Sequence, residues 1–411
     1  MKALIISIGD ELLIGQTVNT NAAFIADELN KAGINVSAIY TIGDNREDIF
    51  YALHNSAKNA EITIITGGLG PTNDDITKKT LSEFFSSPLV LNESSLKNIE
   101  ALFSRRGWTL NEINRKQAEL PKNCIPLKNE LGTAPGMWFT ENGNHYISLP
   151  GVPFEMKNIL LNEVLPKLKK LNLSGSVIHK TILTTGIGES ALAERIRDWE
   201  EKLPGNIKLA YLPEPGIVKL RLSCYKNITG NAEKLIIQKI KALNEFAKDF
   251  IFGFGDETLQ QVAGKLLINK QQSLTTAESC TGGYLAHLIT SVPGSSKYFK
   301  GSVIAYENKV KTEVLGVDES LINSYGAVSK DVVIAMAERA KNLLKSDYAL
   351  ATSGIAGPDG GTPEKPVGTV WVALATPEYT IAEKLMLGND RERNIIRASV
   401  HAMNMLRKAI V

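Results

Sequence analysis

The residues most able to do chemistry lie between Thr275 and Gly283, which read Thr-Thr-Ala-Glu-Ser-Cys-Thr-Gly-Gly. An apolar strand pattern ends there, a serine follows, and two glycines permit a tight turn. A helix pattern then begins, with Leu285, Leu288 and Ile289 facing inward. Backbone N–H groups converge at such a helix start, and they suit a phosphate or a developing oxyanion. The alternative is that Ser279 or Thr281 only caps the helix. Two later stretches favour chemistry. Ala305 to Lys311 places the phenol of Tyr306 near the amine of Lys311, and Thr352 to Gly361 forms a glycine-rich loop after another strand. Without a histidine at hand, a desolvated lysine or a tyrosine can activate a serine. His287 falls two helical turns beyond Ser279 and reads as surface or packing. Cys280 reads as a small buried residue, since no histidine partner is identifiable for it.

A second constellation lies near the N-terminus. Gly9-Asp10-Glu11 follows the first strand, and Thr17 to Asn21 leads into a helix. Gly67-Gly68-Leu69-Gly70-Pro71-Thr72-Asn73-Asp74-Asp75 follows a later strand. A glycine-rich loop running into a helix suits an anionic phosphate. The acidic pairs Asp10/Glu11 and Asp74/Asp75 suit a divalent metal bridging phosphate oxygens, with Asp74 or Asp75 as a cap of a helix starting near Ile76 as the alternative. Metal of unknown identity is therefore expected in this part of the chain and none at the serine.

The elements that must hold these loops fall into three segments. In residues 1–170, strands at 4–6, 36–40 and 62–65 alternate with helices; Ala22, Ile25, Ala26 and Leu29 form one helical stripe that Gly33 ends. Such alternation predicts a parallel sheet with ligands beyond the carboxyl ends of its strands, where both loops sit. Residues 175–252 read β-α-β-β-α, a small α+β module with a hairpin turn at 213–216 and no titratable cluster. Residues 255–411 are again α/β, with strands expected at 274–277, 303–306, 348–352 and 369–375 and a final helix bearing Ile396, Val400 and Met403 on one face.

With these motifs in order, residues 255–411 resemble the C-terminal domain of the CinA family, which also occurs alone as the PncC nicotinamide mononucleotide deamidases. The strings TTAESCTGG, AYxNxxK, SGIAGPDGG and KPVGTVW carry the resemblance. It implies an α/β amidohydrolase that converts nicotinamide mononucleotide to nicotinate mononucleotide and ammonia in pyridine nucleotide salvage. Ser279 would be the nucleophile, with Tyr306 and Lys311 as the proton-transferring pair. Thr281, Gly282, Gly283, Ser353, Gly354, Gly357 and Asp359 would bind substrate. Residues 1–170 resemble the MoaB/MogA-like α/β domain of the same family through GGLGPTxDD and LPGVPFEM. That likeness implies metal-dependent hydrolysis of ADP-ribose. Gly67, Gly68, Gly70, Thr72 and Asn21 would contact substrate, and Asp10, Glu11, Asp74 and Asp75 the metal. It also implies a homodimer. The middle segment resembles the family's KH-like domain but lacks a GxxG loop between helices, so it gives no support to nucleic-acid clamping. Two other functions fit parts of the chain: a molybdopterin-binding protein of cofactor biosynthesis, and an interaction protein of competence or DNA damage.

Composition sets the outer limits. The 411 residues exceed one ordinary core, and ~100–200 residues per domain predicts two or three. A net charge of +2 gives no field for non-specific nucleic-acid binding. The three cysteines form no CxxC, which excludes a zinc knuckle or disulfide framework from the expectation. The short apolar N-terminal run meets Asp10 at once, unlike a signal peptide, and no run is long enough for a membrane span. A cytoplasmic protein without membrane partners is expected.

Overall fold

The computed structural model describes residues 1–72, 75–171, 177–225 and 232–411, so Asp74 lies outside the described residues. The chain divides into two compact units. The first is built on Met1–His179, the second on Lys180–Cys224 and the described residues from 232 to Val411. The middle and C-terminal segments thus share one unit.

In the first unit a six-stranded sheet runs in the order Asn35–Ile42, Lys2–Ile8, Ile62–Thr66, Asn144–Leu149, Gly136–Glu141 and Ile125–Leu127. The first four strands are parallel and the last two antiparallel. Alternation along Lys2–Ile8 serves both faces: Ala3 and Ile5 join one apolar cluster, Leu4 and Ile6 the other. The helix Thr20–Lys31 buries Ala22, Ile25 and Leu29 on the first face, and Asn19 caps it by accepting from the Ala22 N–H. The helix expected near Ile76 is Thr77–Phe84 and has no side-chain cap. Asp75 does not cap it; its carboxylate accepts instead from the Thr72 N–H and hydroxyl, closing the preceding turn on itself.

In the second unit a four-stranded sheet runs Ile207–Glu214, Ile217–Tyr225, Val177–Thr185, Ile251–Phe254. Helices Glu189–Glu200 and Ala232–Ala247 are tied by the Trp199 indole N–H, which donates to the Lys239 carbonyl at 3.0 Å. A five-stranded sheet runs Phe299–Ile304, Leu274–Glu278, Tyr348–Gly354, Thr369–Ala375, Thr380–Met386. Its first three strands are parallel and its last two antiparallel. Leu274–Glu278 is buried throughout, under helices Leu259–Lys270 and Arg391–Ile410 on one side and Lys330–Leu343 on the other. The strand expected at 303–306 is Phe299–Ile304, which ends before Tyr306; the Ala305 N–H makes the last bond, to the Glu278 carbonyl. Among the described residues no helix is long and apolar enough to cross a membrane.

Candidate active site

Glu278 ends the central strand with no exposed surface. Its carboxylate accepts from the Thr281 hydroxyl at 2.7 Å and from the N–H groups of Gly283 (3.0 Å), Leu285 (3.0 Å) and Ala286 (2.8 Å). The start of helix Tyr284–Thr290 is therefore filled by the protein's own anion. A buried carboxylate and unpaired helix-start donors are each costly alone and satisfy one another. This corrects the expectation that the helix start and the Thr281 hydroxyl face a phosphate. Thr281 is also held by the Thr352 hydroxyl at 2.7 Å. Among the described residues the Thr281 N–H makes no hydrogen bond and the Cys280 N–H meets only its own thiol, so the turn keeps donors beside Ser279. Gly282 sits at φ +59 with open space where a side chain would be.

Ser279 is fixed through its backbone, its N–H donating to the Thr352 carbonyl at 3.0 Å, while its hydroxyl makes no hydrogen bond among the described residues. Lys311 is only 1% exposed. Its Nζ donates to the Ala305 carbonyl at 2.9 Å and the Tyr306 carbonyl at 3.1 Å. Ala305 is bonded directly to Glu278, so the amine lies at the edge where Ser279 emerges. Burial holds the Lys311 pKa below its usual range, opposed by the neighbouring Cys280. A neutral amine has two hydrogens, which the two carbonyls take, and its lone pair is left for a third direction. Burial pushes the Cys280 thiol up to about 12, with Glu278 adding to the rise and Lys311 opposing it. That thiol stays protonated at neutral pH.

The Tyr306 side chain is 59% exposed, and its hydroxyl accepts from Arg391 Nη2 at 2.9 Å. Arg391 Nη1 donates to the Gly357 carbonyl at 2.8 Å. The phenol thus steadies a guanidinium, and only the Tyr306 carbonyl reaches Lys311. An open cleft of about 610 Å³ runs past Thr281, Gly282, Gly283, Tyr284, His287 and Arg391. The sequence reading missed Arg391. Its signal was an arginine in the first turn of a helix, where the dipole disfavours a cation. Ser353 is buried and its hydroxyl donates to the Ala327 carbonyl at 2.7 Å. Gly354 and Gly357 permit close packing, since a Cβ at either would meet Val370 or Val367. Asp359 is exposed.

In the first unit, Gly67 and Gly68 adopt φ +116 and +62, and a Cβ there would strike the Ile8 carbonyl or the Thr77 hydroxyl. A Cβ at Gly70 would strike the Asp75 carboxylate, which Thr72 holds. The Asp10 N–H donates to Asp44 at 3.0 Å, and the Asp44 N–H donates back to Asp10 at 3.2 Å. Burial, then the charges of Asp10, Glu11 and Asp75, raise the Asp44 carboxyl above its usual range. Asp44 was not singled out in the sequence, although it follows a strand at the same sheet edge. Asn21 donates to the Gly151 carbonyl at 2.7 Å and the Thr66 hydroxyl at 3.3 Å, while its buried Oδ1 has no partner among the described residues. With Ser7, Glu11, Thr17, Thr66 and Gly67 it lines a cavity of about 120 Å³. The gathered negative charge fits a divalent cation, but among the described residues no three metal-ligating side chains converge.

Two α/β sheets with loop sites at their strand ends, joined by a small α+β module, define the class. Residues 256–410 match the CinA C-terminal domain, residues 4–170 the "Probable molybdopterin binding domain" and residues 179–253 the "Damage-inducible protein CinA KH domain". A CinA-like protein of Cytophaga hutchinsonii is 46% identical over 99% of this chain and 97% of its own length. One from Flavobacterium psychrophilum is 47% identical over 100% of this chain and 99% of its own length. The solved structure of CinA from Thermoplasma acidophilum is 34% identical, covering 41% of this chain and 96% of its own, with a TM-score of 0.37. The chain belongs to the CinA family.

Proposed function

We propose that the second unit hydrolyses the carboxamide of nicotinamide mononucleotide, giving nicotinate mononucleotide and ammonia. The observation that carries this reading is the buried Lys311 amine, held by two carbonyls at the strand edge from which Ser279 emerges. Neutral Lys311 takes the Ser279 proton as Oγ adds to the carboxamide carbon. The Cys280 and Thr281 N–H groups hold the oxyanion. Lys311 returns the proton to nitrogen as the C–N bond breaks and ammonia leaves. Water then adds to the ester, again giving Lys311 a proton, and the tetrahedral adduct collapses to the carboxylate with the proton going back to Ser279 Oγ. Arg391 binds the substrate phosphate along the cleft, and Tyr306 steadies it. Ammonia release from the nucleotide tests the reading: Ser279→Ala is expected to abolish it without lowering the melting temperature. Full activity in that variant would overturn it.

A second activity is favoured by the carboxylates around Asp44 in the first unit: metal-dependent hydrolysis of ADP-ribose. Asp10 and Asp44 would be the carboxylates nearest the cation, with pyrophosphate oxygens and water completing its ligands, and the cation would supply charge neutralisation at the pyrophosphate. Asn21, through its unpartnered Oδ1, is placed to accept from a ligand hydroxyl. Asp44→Asn is expected to cut AMP release from ADP-ribose at least tenfold at subsaturating metal. Molybdopterin binding by a chain inert toward ADP-ribose would favour the cofactor-biosynthesis alternative instead.

A further inference from the structure

The proposed reactions leave unused a cleft of about 640 Å³ within the second unit, between the middle module and the final helix. One wall is the turn at 185–189 with the hairpin at 213–218; the other is one face of Arg391–Ile410. Arg393, Arg397, His401, Asn404 and Lys408 recur along that face at helical spacing. Apolar residues would suit a face turned toward a packed module. Val400 does this, meeting Gly216 so closely that a Cβ there would lie 2.9 Å from it.

The cations along this stripe are not explained by internal pairing. His401 is paired with Glu383 at 2.7 Å, but the side chains of Arg393, Arg397 and Lys408 have no partner among the described residues. Arg393 and Arg397 repel one another at a spacing of four, and Arg393 stands at the positive end of the helix dipole. Of the lining carboxylates, Glu214 is bound by Lys219 and Glu383 by His401, leaving Glu189.

A separate observation points into the same space. Asn404 is 4% exposed, and its Oδ1 accepts from Arg407 at 3.1 and 3.0 Å. Those bonds fix the amide's orientation, so Nδ2 is the free end, and it makes no hydrogen bond among the described residues. Gly186, at φ +80, brings the opposite wall to it; a Cβ there would lie 3.0 Å from Nδ2. Beyond that turn, helix Glu189–Glu200 starts at Gly188 with no side-chain cap.

We propose that this cleft binds a small molecule bearing a pyrophosphate group. Arg393 and Arg397 take one phosphate through their guanidinium groups, and Asn404 Nδ2 with the open helix start takes the other. A volume of about 640 Å³ suits a nucleotide-sized ligand.

Inorganic pyrophosphate binding to the full chain, followed by titration calorimetry, tests the site directly and independently of either proposed activity. Wild type is expected to bind it, and the double variant Arg393→Gln/Arg397→Gln to bind at least tenfold more weakly. Both side chains are exposed and unpartnered, so that variant should melt as wild type does. Removing the same charge at exposed Lys58 and Lys97 should leave affinity within twofold. No binding by wild type, unchanged binding by the arginine variant, or equal loss in the lysine variant would each overturn the site. A single-stranded oligonucleotide that binds through the two arginines where pyrophosphate does not would overturn the small-ligand assignment.

Discussion

Cys280 and Ser279 are adjacent, and their environments give them opposite prospects as nucleophiles. The thiol is buried and held protonated with its pKa pushed up to about 12; the hydroxyl makes no hydrogen bond among the described residues and follows the strand end whose Ala305 neighbour holds the Lys311 amine. Cys280→Ala should therefore keep ammonia release within about threefold, with a modest loss of stability of ~1 kcal/mol or more from the small cavity. Arg391→Ala should raise KM about tenfold to hundredfold, matching the ~1.5–3 kcal/mol of hydrogen bonds to a charged group, with a smaller change in kcat. Steady-state kinetics on nicotinamide mononucleotide measures both. Ser279 and Lys311 could be singled out as candidates because each stands in a local string of the sequence. Arg391 was not, since it meets Tyr306 across 85 positions of sequence.

At the scale of elements, Glu278 joins the central strand to the helix after the serine. Replacing it with glutamine removes the anion and sets an amide NH₂ against backbone donors. Glu278→Gln should cost about 3 kcal/mol, read from the denaturant midpoint at unchanged slope. Apolar periodicity located the helix Thr20–Lys31 and the strands Lys2–Ile8 and Leu274–Glu278, because each buries a regular face. It misplaced Phe299–Ile304, an edge strand whose residues are mostly half-buried and give weak alternation. The carboxylate filling the helix start was also hidden: Glu278 reads as one more polar residue until its burial is known.

Over the whole molecule, the two units carry separate candidate sites with different electrostatics. Carboxylates gather around Asp44, while the serine candidate stands among a buried amine and backbone donors. A chelator should therefore remove ADP-ribose hydrolysis and leave ammonia release unchanged, as parallel assays on one preparation would show. The strand ends that carry both sites were legible from the alternation of strands and helices. The union of the middle and C-terminal segments in one unit was not, because it rests on contacts such as Gly216 with Val400 and Arg407 Nη2 with the Asp249 carbonyl at 3.2 Å.

The most direct test of the serine–lysine account is kcat/KM for nicotinamide mononucleotide against pH, in wild type and Lys311→Arg. Because burial lowers the Lys311 pKa from 10.5, its neutral form should appear below that value. The account predicts a rate that climbs with pH to a plateau with a midpoint under 10.5 in wild type. Lys311→Arg, which cannot release its proton, should lose at least a hundredfold throughout. A flat profile, or an arginine variant that retains wild-type activity, would contradict it.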